Sequence, residues 1–266
     1  MKVRVITAVI GIIAVLALVW LGGWFLTGAV AIVSLIALWE YGRMLGHISI
    51  HIYKKPAALA LLVMIFASGF YSIKTFIAAF LLAFCLLILA IKKEEMTNLI
   101  YTAFGVVYFG VGFGTLSLLR GSHELLPLAA VNVDPGIFLI LFSLVTTWAS
   151  DSFAYLAGRS FGKHKMAPHI SPNKTVEGLI GGAIGCVVLG MVLSVVFKYN
   201  LVRGFFLSLI AAVMAPVGDL FESYVKRACD IKDSGNILPG HGGMMDRFDS
   251  LLFVAPSLAA VLALLR

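Results

Sequence analysis

The sequence predicts an all-α, polytopic integral membrane protein, and three observations predict it. Hydrophobic residues make up 61% of the 266-residue chain and charged residues only 12%. Mean hydropathy is +1.03, whereas an ordinary soluble domain carries about 25% charged residues. The apolar residues fall in runs close to the roughly 20 residues that a helix needs to cross a bilayer. The basic residues are scattered between those runs and do not cluster on a separate soluble domain. The net charge of +7 therefore reads as membrane topology and attraction to anionic head groups, not as a nucleic-acid surface.

Nine spans are expected, at about 4–20, 23–42, 56–72, 75–91, 98–119, 136–157, 175–197, 202–225 and 248–265. The N-terminal Met-Lys-Val-Arg followed by apolar residues resembles a signal peptide. Apolar character continues to Trp39, however, so a retained first span is expected. Gly22-Gly23 divides spans one and two. Lys54-Lys55-Pro56 precedes span three, Lys74 separates three from four, and Lys92-Lys93-Glu94-Glu95 separates four from five. Organisation follows the spans. Residues 1–97 are expected to form N-terminal transmembrane helices, 98–135 a middle helix region with a dimer contact as one alternative, and 136–266 the C-terminal transmembrane helices and cytoplasmic loops that carry the candidate site.

The distribution of positive charge orients the chain. Fifteen of the twenty lysines and arginines fall on the side shared by the N-terminus and the loops after spans two, four, six and eight. That side is expected to be cytoplasmic. Without the loops after spans six and eight the count is seven against five, a much weaker bias. Gly105, Gly110, Gly112 and Gly114 form a small-residue surface in span five, and Gly178, Gly181, Gly182 and Gly185 another in span seven. Both read as close helix packing. Trp20, Trp24, Trp39, Tyr41, Tyr53 and Tyr71 fall near span ends and read as an interfacial belt. Cys85 and Cys186 read as small core residues, and nothing implies a disulfide framework.

Residues 223–249 break the hydrocarbon most sharply, with eight charged side chains. Charge beside a bilayer is costly, so this density marks a functional site. Of the thirteen acids, eight lie in the second half's cytoplasmic cluster, among them Asp151, Glu177, Asp219, Glu222, Asp246 and Asp249. They interleave with Lys174, Lys226, Arg227, Lys232 and Arg247. Mixed acids and bases suggest a metal-bridged polyanion site: acids for Mg²⁺, bases for phosphate oxygens. Asp219, Ser223 and Lys226 share one helix face, and Pro216 and Gly218 just before them would kink that span. Asp246 and Asp249, at i and i+3 near the start of the last span, read either as helix-dipole partners or as metal ligands. Asn236–Gly243, with His241 among glycines, reads as a phosphate cradle or as a flexible loop.

Two further groups matter. In Ser171-Pro-Asn173-Lys174-Thr-Val-Glu177-Gly178, Ser or Asn can cap span seven and Glu177 enters its first turns. Lys174 is out of place near a helix N-terminus unless an anion binds there, which favours nucleotide phosphate. Asp151, Tyr155 and Arg159 recur every four residues, either as a buried Asp–Arg pair or as part of the site. A transporter is the alternative of another class. It would favour charges near mid-bilayer and related halves, and neither is seen.

The run from Ser223 to Asp249 is similar to the signature of the bacterial phosphatidate cytidylyltransferases, the CDP-diacylglycerol synthases: Ser-x-aliphatic-Lys-Arg, Lys-Asp, His-Gly-Gly and Asp-Arg-x-Asp. Ser171-Pro172, Lys174-Thr175 and Gly178, and the stretch Asp151–Lys163, resemble that family's other motifs. The resemblance implies a multi-pass enzyme of the bacterial inner (plasma) membrane that is dimeric. It implies transfer of a cytidylyl group from CTP to phosphatidic acid, with the active site facing the cytoplasm and membrane lipid as surroundings. It implies Mg²⁺, with a second, monovalent ion left open, held by Asp219, Asp246 and Asp249. Lys226, Arg227 and Arg247 are expected to neutralise phosphates, and Ser171, Asn173 and Lys174 to hold CTP. Glu177, Ser223 and His241 complete the expected nucleotide contacts, and Asp219, Lys226, Asp246 and Arg247 the catalytic set. No nucleic-acid partner is expected.

Overall fold

In hydrocarbon every backbone N–H must be satisfied within its own segment, so long apolar runs fold as helices. The computed structural model describes residues 2–70, 72–89, 96–121, 125–238 and 242–265, with backbone alone for 2–5 and 128. Its helices are α1 (Lys2–Leu21), α2 (Gly23–Gly46), α3 (Lys54–Ser68), α4 (Ile73–Leu89), α5 (Met96–Gly121), α6 (Pro135–Phe161), α7 (Val176–Val196), α8 (Leu201–Ala228), α9 (Met245–Phe248) and α10 (Leu251–Leu264). Among the described residues, five helices, α2, α5, α6, α7 and α8, are long and apolar enough to cross a membrane; the other expected spans coincide with shorter helices.

Two local expectations change. Residues before α7 form an antiparallel hairpin, β1 (Lys165–Ala167) with β2 (Ser171–Thr175), in place of a direct helix entry. The expected last span is broken. Asp246 sits in the four-residue α9 and Asp249 in the link to α10, so the two acids do not share one helix. Asp249 Oδ1 accepts from the Ser250 N–H at 2.6 Å, a local side-chain bond that competes with helix continuation.

The chain divides into two compact units. Unit 1 holds Met1–Ser122 and Ala228–Phe248, and unit 2 holds His123–Arg227 and Asp249–Arg266. Residues 228–248 thus group with the N-terminal helices, although they follow α8 in sequence. In unit 1, Gly22 separates α1 from α2 with φ +59°, a region that L side chains rarely adopt. A Cβ there would also meet Arg120, whose Nε donates to Val19 O at 2.7 Å. The α5 glycines admit large neighbours: Gly105 faces Tyr41, Gly110 faces Met64 and Gly114 faces Phe76. Tyr41, Met64, Phe109 and Phe113 are fully buried there. Tyr41 is therefore core, not belt. Trp20, Trp24 and Trp39 are exposed, and Tyr71 lies outside the described residues. Cys85 is exposed while Cys186 is buried. An apolar run does not reveal which of its faces meets lipid.

In unit 2, α6 and α7 press together through glycine. A Cβ on Gly178 would lie 2.9 Å from Ala154 O and one on Gly182 2.7 Å from Ser150 O, and Gly185 faces the Phe153 ring. Such close backbones are how membrane helices gain packing energy without a hydrophobic drive between them. Gly190 on α7 and Gly204 on α8 make room for Ser208 and Ser194 in the same way.

Candidate active site

The α6–α7 contact delivers the hairpin to the face of α6 that carries Asp151, Tyr155 and Arg159. Thr175 ends β2 and caps α7, its hydroxyl accepting from Gly178 N at 3.1 Å. The cap is thus Thr175, while Ser171 and Asn173 lie on the strand. A cavity of about 520 Å³ opens here, in the size range of small-molecule sites. Asp151, Tyr155, Arg159, Ser171, Asn173, Lys174, Pro216 and Asp219 are among its lining residues. Asp151 and Arg159 are exposed, and Arg159 Nη1 donates to Tyr155 OH at 3.3 Å. Both belong to the cavity wall, and neither is buried.

Lys174 and Asp219 meet in this cavity. Lys174 Nζ lies 2.7 Å from Asp219 Oδ2, with side chains 23% and 33% exposed. The anion that Lys174 called for near the start of α7 is thus a carboxylate of the chain itself. Two residues 45 positions apart hold opposite charges at one wall of this cavity. Their side chains are partly exposed, but Lys174 Nζ itself is buried at the contact. The interest of the pair is that both residues line a cavity of ligand size.

Glu177, expected among the nucleotide contacts, is engaged elsewhere. Its carboxylate accepts from Lys163 N at 3.0 Å and His164 N at 3.2 Å, and lies 2.6 Å from His164 Nδ1. It lines a separate hollow with Ser160, Phe161, Gly162 and Lys163. It fixes the passage from α6 into the hairpin.

Further along α8, Glu222 and Lys226 form a buried i, i+4 ion pair at 2.5 Å. Ser223 is buried beside them and Arg227 is exposed. Lys226, expected to face phosphates, already has a fully buried counter-charge. Sequence reasoning counted Glu222 but gave it no role. Its signal was the four-residue spacing to Lys226.

Asp249 is brought close to α8 by glycine. A Cβ on Gly218 would lie 2.5 Å from Asp249 O and 3.0 Å from Ser250 Cα. Burial, then the neighbouring Asp219 charge, pushes the Asp249 carboxyl up to about 7. A carboxyl disfavoured in its charged form beside a second carboxylate fits a divalent cation, which would favour that charge. Mg²⁺ is commonly held by one or two carboxylates plus substrate phosphates. Among the described residues no three His, Cys, Asp or Glu side chains gather closely enough to hold a metal unaided.

Asp246 and Arg247 lie in unit 1, Arg247 exposed. Asp246 Oδ2 accepts from Gly243 N at 2.9 Å, Ser234 Oγ at 3.0 Å and Ser234 N at 3.1 Å. It fastens the glycine-rich loop. Leu238 N donates to Gly242 O at 3.0 Å, and His241 lies outside the described residues. Sequence reasoning left Glu40 without a role, yet it is fully buried and bonded to this same loop. A lone acid inside an apolar run was its signal.

Known proteins resemble the chain throughout. A family model described as "Cytidylyltransferase family" matches residues 2–265. A Bacillus subtilis (strain 168) protein named phosphatidate cytidylyltransferase is 36% identical over 278 residues, 99% of this chain and 98% of the relative. Proteins of the same name from Staphylococcus haemolyticus (strain JCSC1435) and Staphylococcus saprophyticus are each 34% identical over 270 residues, 98% of this chain and 99% of the relative.

Proposed function

The chain belongs to the cytidylyltransferase family, and from that premise we propose that it converts CTP and phosphatidic acid into CDP-diacylglycerol and pyrophosphate. The observation that carries the reading is end-to-end similarity to curated phosphatidate cytidylyltransferases. The Lys174–Asp219 pair in the cavity lining supports it.

A phosphate oxygen of phosphatidate attacks the α-phosphorus of CTP, and the bond to the β,γ-pyrophosphate breaks. The nucleophile is already ionised, so the step needs no general base. What remains is positioning and neutralising negative charge. Lys174 exchanges Asp219 for a phosphate oxygen of the nucleotide. Ser171 and Asn173, on the same strand, supply neutral donors beside it. Arg159, bonded to Tyr155 in the same cavity lining, offers a second cation. Mg²⁺, held by Asp219 and Asp249 and, by the signature's spacing, Asp246, would supply charge neutralisation at the reacting phosphates. Arg227 and Arg247, both exposed, are proposed to meet phosphates, as is Lys226. The acyl chains remain in lipid, with the site on the cytoplasmic face of a bacterial inner membrane.

Purified protein in detergent micelles should release pyrophosphate from CTP only when phosphatidate and Mg²⁺ are both present. The product should be a lipid heavier by one cytidylyl group. A folded protein that yields a simple lipid phosphate, or nothing, refutes the proposal. Asp219→Asn and Asp246→Asn should each abolish turnover while the protein stays folded.

A further inference from the structure

Glu40 is the unexpected polar residue of unit 1. It sits in α2, an apolar helix, at 0% exposure. A buried carboxylate is costly unless its lone pairs are satisfied. Here they are satisfied by loop backbone more than 200 residues away in sequence. Oε1 accepts from Met244 N and Oε2 from Met245 N, each at 2.9 Å. The Ser234 hydroxyl reaches both carboxylates of this region, Asp246 Oδ2 at 3.0 Å and Glu40 Oε2 at 3.5 Å.

The loop is shaped to admit this carboxylate. A Cβ on Gly235 would collide with Glu40 Oε1, and one on Gly243 would lie 2.8 Å from the same atom. Two glycines of the signature loop therefore face the same side chain. Glu40 holds the N–H groups of Met244 and Met245. Asp246, the next residue, holds those of Ser234 and Gly243. Glu40 grips the loop at Met244 and Met245, Asp246 ties Gly243 to Ser234, and the Ser234 hydroxyl reaches both acids.

We propose that Glu40 is a positioning residue for cytidylyl transfer: it orients Asp246 by fixing the backbone immediately before it. The inference rests on the reading that Asp246 serves the reaction. A glutamine cannot replace Glu40, because an amide accepts one of the two N–H bonds and turns its own donors toward the other. A buried donor left without a partner keeps its desolvation cost uncompensated, which releases the loop while the helices stay folded.

The test uses full-length wild type, Glu40→Gln and Ser234→Ala in detergent. Pyrophosphate release is measured across Mg²⁺ and CTP titrations, with amide hydrogen exchange over residues 242–248. For Glu40→Gln the expected result is kcat down at least tenfold and Mg²⁺ half-saturation up at least fivefold. The CTP KM should stay within twofold, and exchange at Met244 and Met245 should be faster. Ser234→Ala should shift the same quantities less and serves as the readout if Glu40→Gln does not fold. Wild-type kcat and Mg²⁺ dependence per folded molecule in the variants overturns the inference, as does unchanged exchange. An inactive wild type would instead overturn the proposed function.

Discussion

Gly218→Ala tests the contact between α8 and the link that carries Asp249. The added methyl would lie 2.5 Å from Asp249 O, 3.0 Å from Ser250 Cα and 3.1 Å from Phe253 Cδ2. The first two are backbone atoms, so no rotamer change relieves them. Restoring an ordinary 3.4 Å contact requires the two backbones to part by about 0.9 Å. Overpacking of this kind costs about 1–3 kcal/mol. A displacement of about 1 Å in a reacting constellation costs on the order of 100-fold in rate. Asp219 follows Gly218 directly, so the parting moves Asp219 against Asp249. The expected outcome is kcat down by ten- to a hundredfold and a raised Mg²⁺ half-saturation, with the helical circular dichroism retained. Gly28→Ala is the control, since its Cβ meets nothing within 4 Å, and should behave as wild type. Pyrophosphate release over a Mg²⁺ titration reads both variants. Wild-type kcat and Mg²⁺ dependence in Gly218→Ala would refute the role given to this contact.

Three further predictions concern charge. Lys174→Ala should raise the CTP KM at least tenfold and leave the phosphatidate KM within twofold; an unchanged CTP dependence in steady-state assays removes Lys174 from the nucleotide site. Glu222→Gln leaves Lys226 buried without its counter-charge and should destabilise the protein by about 3 kcal/mol, seen as a lower thermal midpoint. Glu222→Gln combined with Lys226→Met should recover most of that loss, and failure to recover would show that the pair is not the cause. Asp249 is raised to about 7, so it is protonated below that pH and competes there with a bound cation. Mn²⁺ affinity of the nucleotide-free protein, followed by electron paramagnetic resonance, should weaken about tenfold per pH unit below 7 and level off above it. The sign for stability is opposite. A raised carboxyl binds its proton more tightly folded than unfolded, so the metal-free protein should lose stability as pH climbs from about 4 to 7. Flat Mn²⁺ affinity between pH 5.5 and 8 would refute the assignment.

The sequence made the helices legible because each apolar run approaches the length a bilayer demands. It also marked Lys174 and Asp219, because each is a charge with no local reason to be there. The hairpin was hidden. A five-residue polar strand containing Pro172 and Asn173 carries no alternating pattern and reads as a cap. The break between α9 and α10 was hidden too, because Phe248 and Leu251 continue an apolar run across it. Glu40 was visible as an expense in α2, but its partners were not. They are backbone N–H groups, which every residue has, so no composition or spacing in the loop announces them.

What separates an acid that builds a site from one that works in it is how its oxygens are occupied. Glu40 accepts two backbone N–H groups, Glu177 accepts two others, and Glu222 faces Lys226 at 2.5 Å. Each is tied to a part of the chain that has no reason to leave, and removing any of them exposes a donor or a charge that must find another partner. Asp219 and Asp249 are placed differently. Asp219 faces a lysine on a cavity wall that a ligand can reach, and Asp249 is held toward its protonated form by burial and by Asp219. Both would gain from an incoming cation, and Lys174 would gain from an incoming phosphate. Asp246 is proposed for both groups: its Oδ2 closes the loop through three donors, and the proposed reaction gives it a second duty. That double duty explains why a second carboxylate, Glu40, is needed beside it: Asp246 can turn toward a cation without the loop losing all of its fastening.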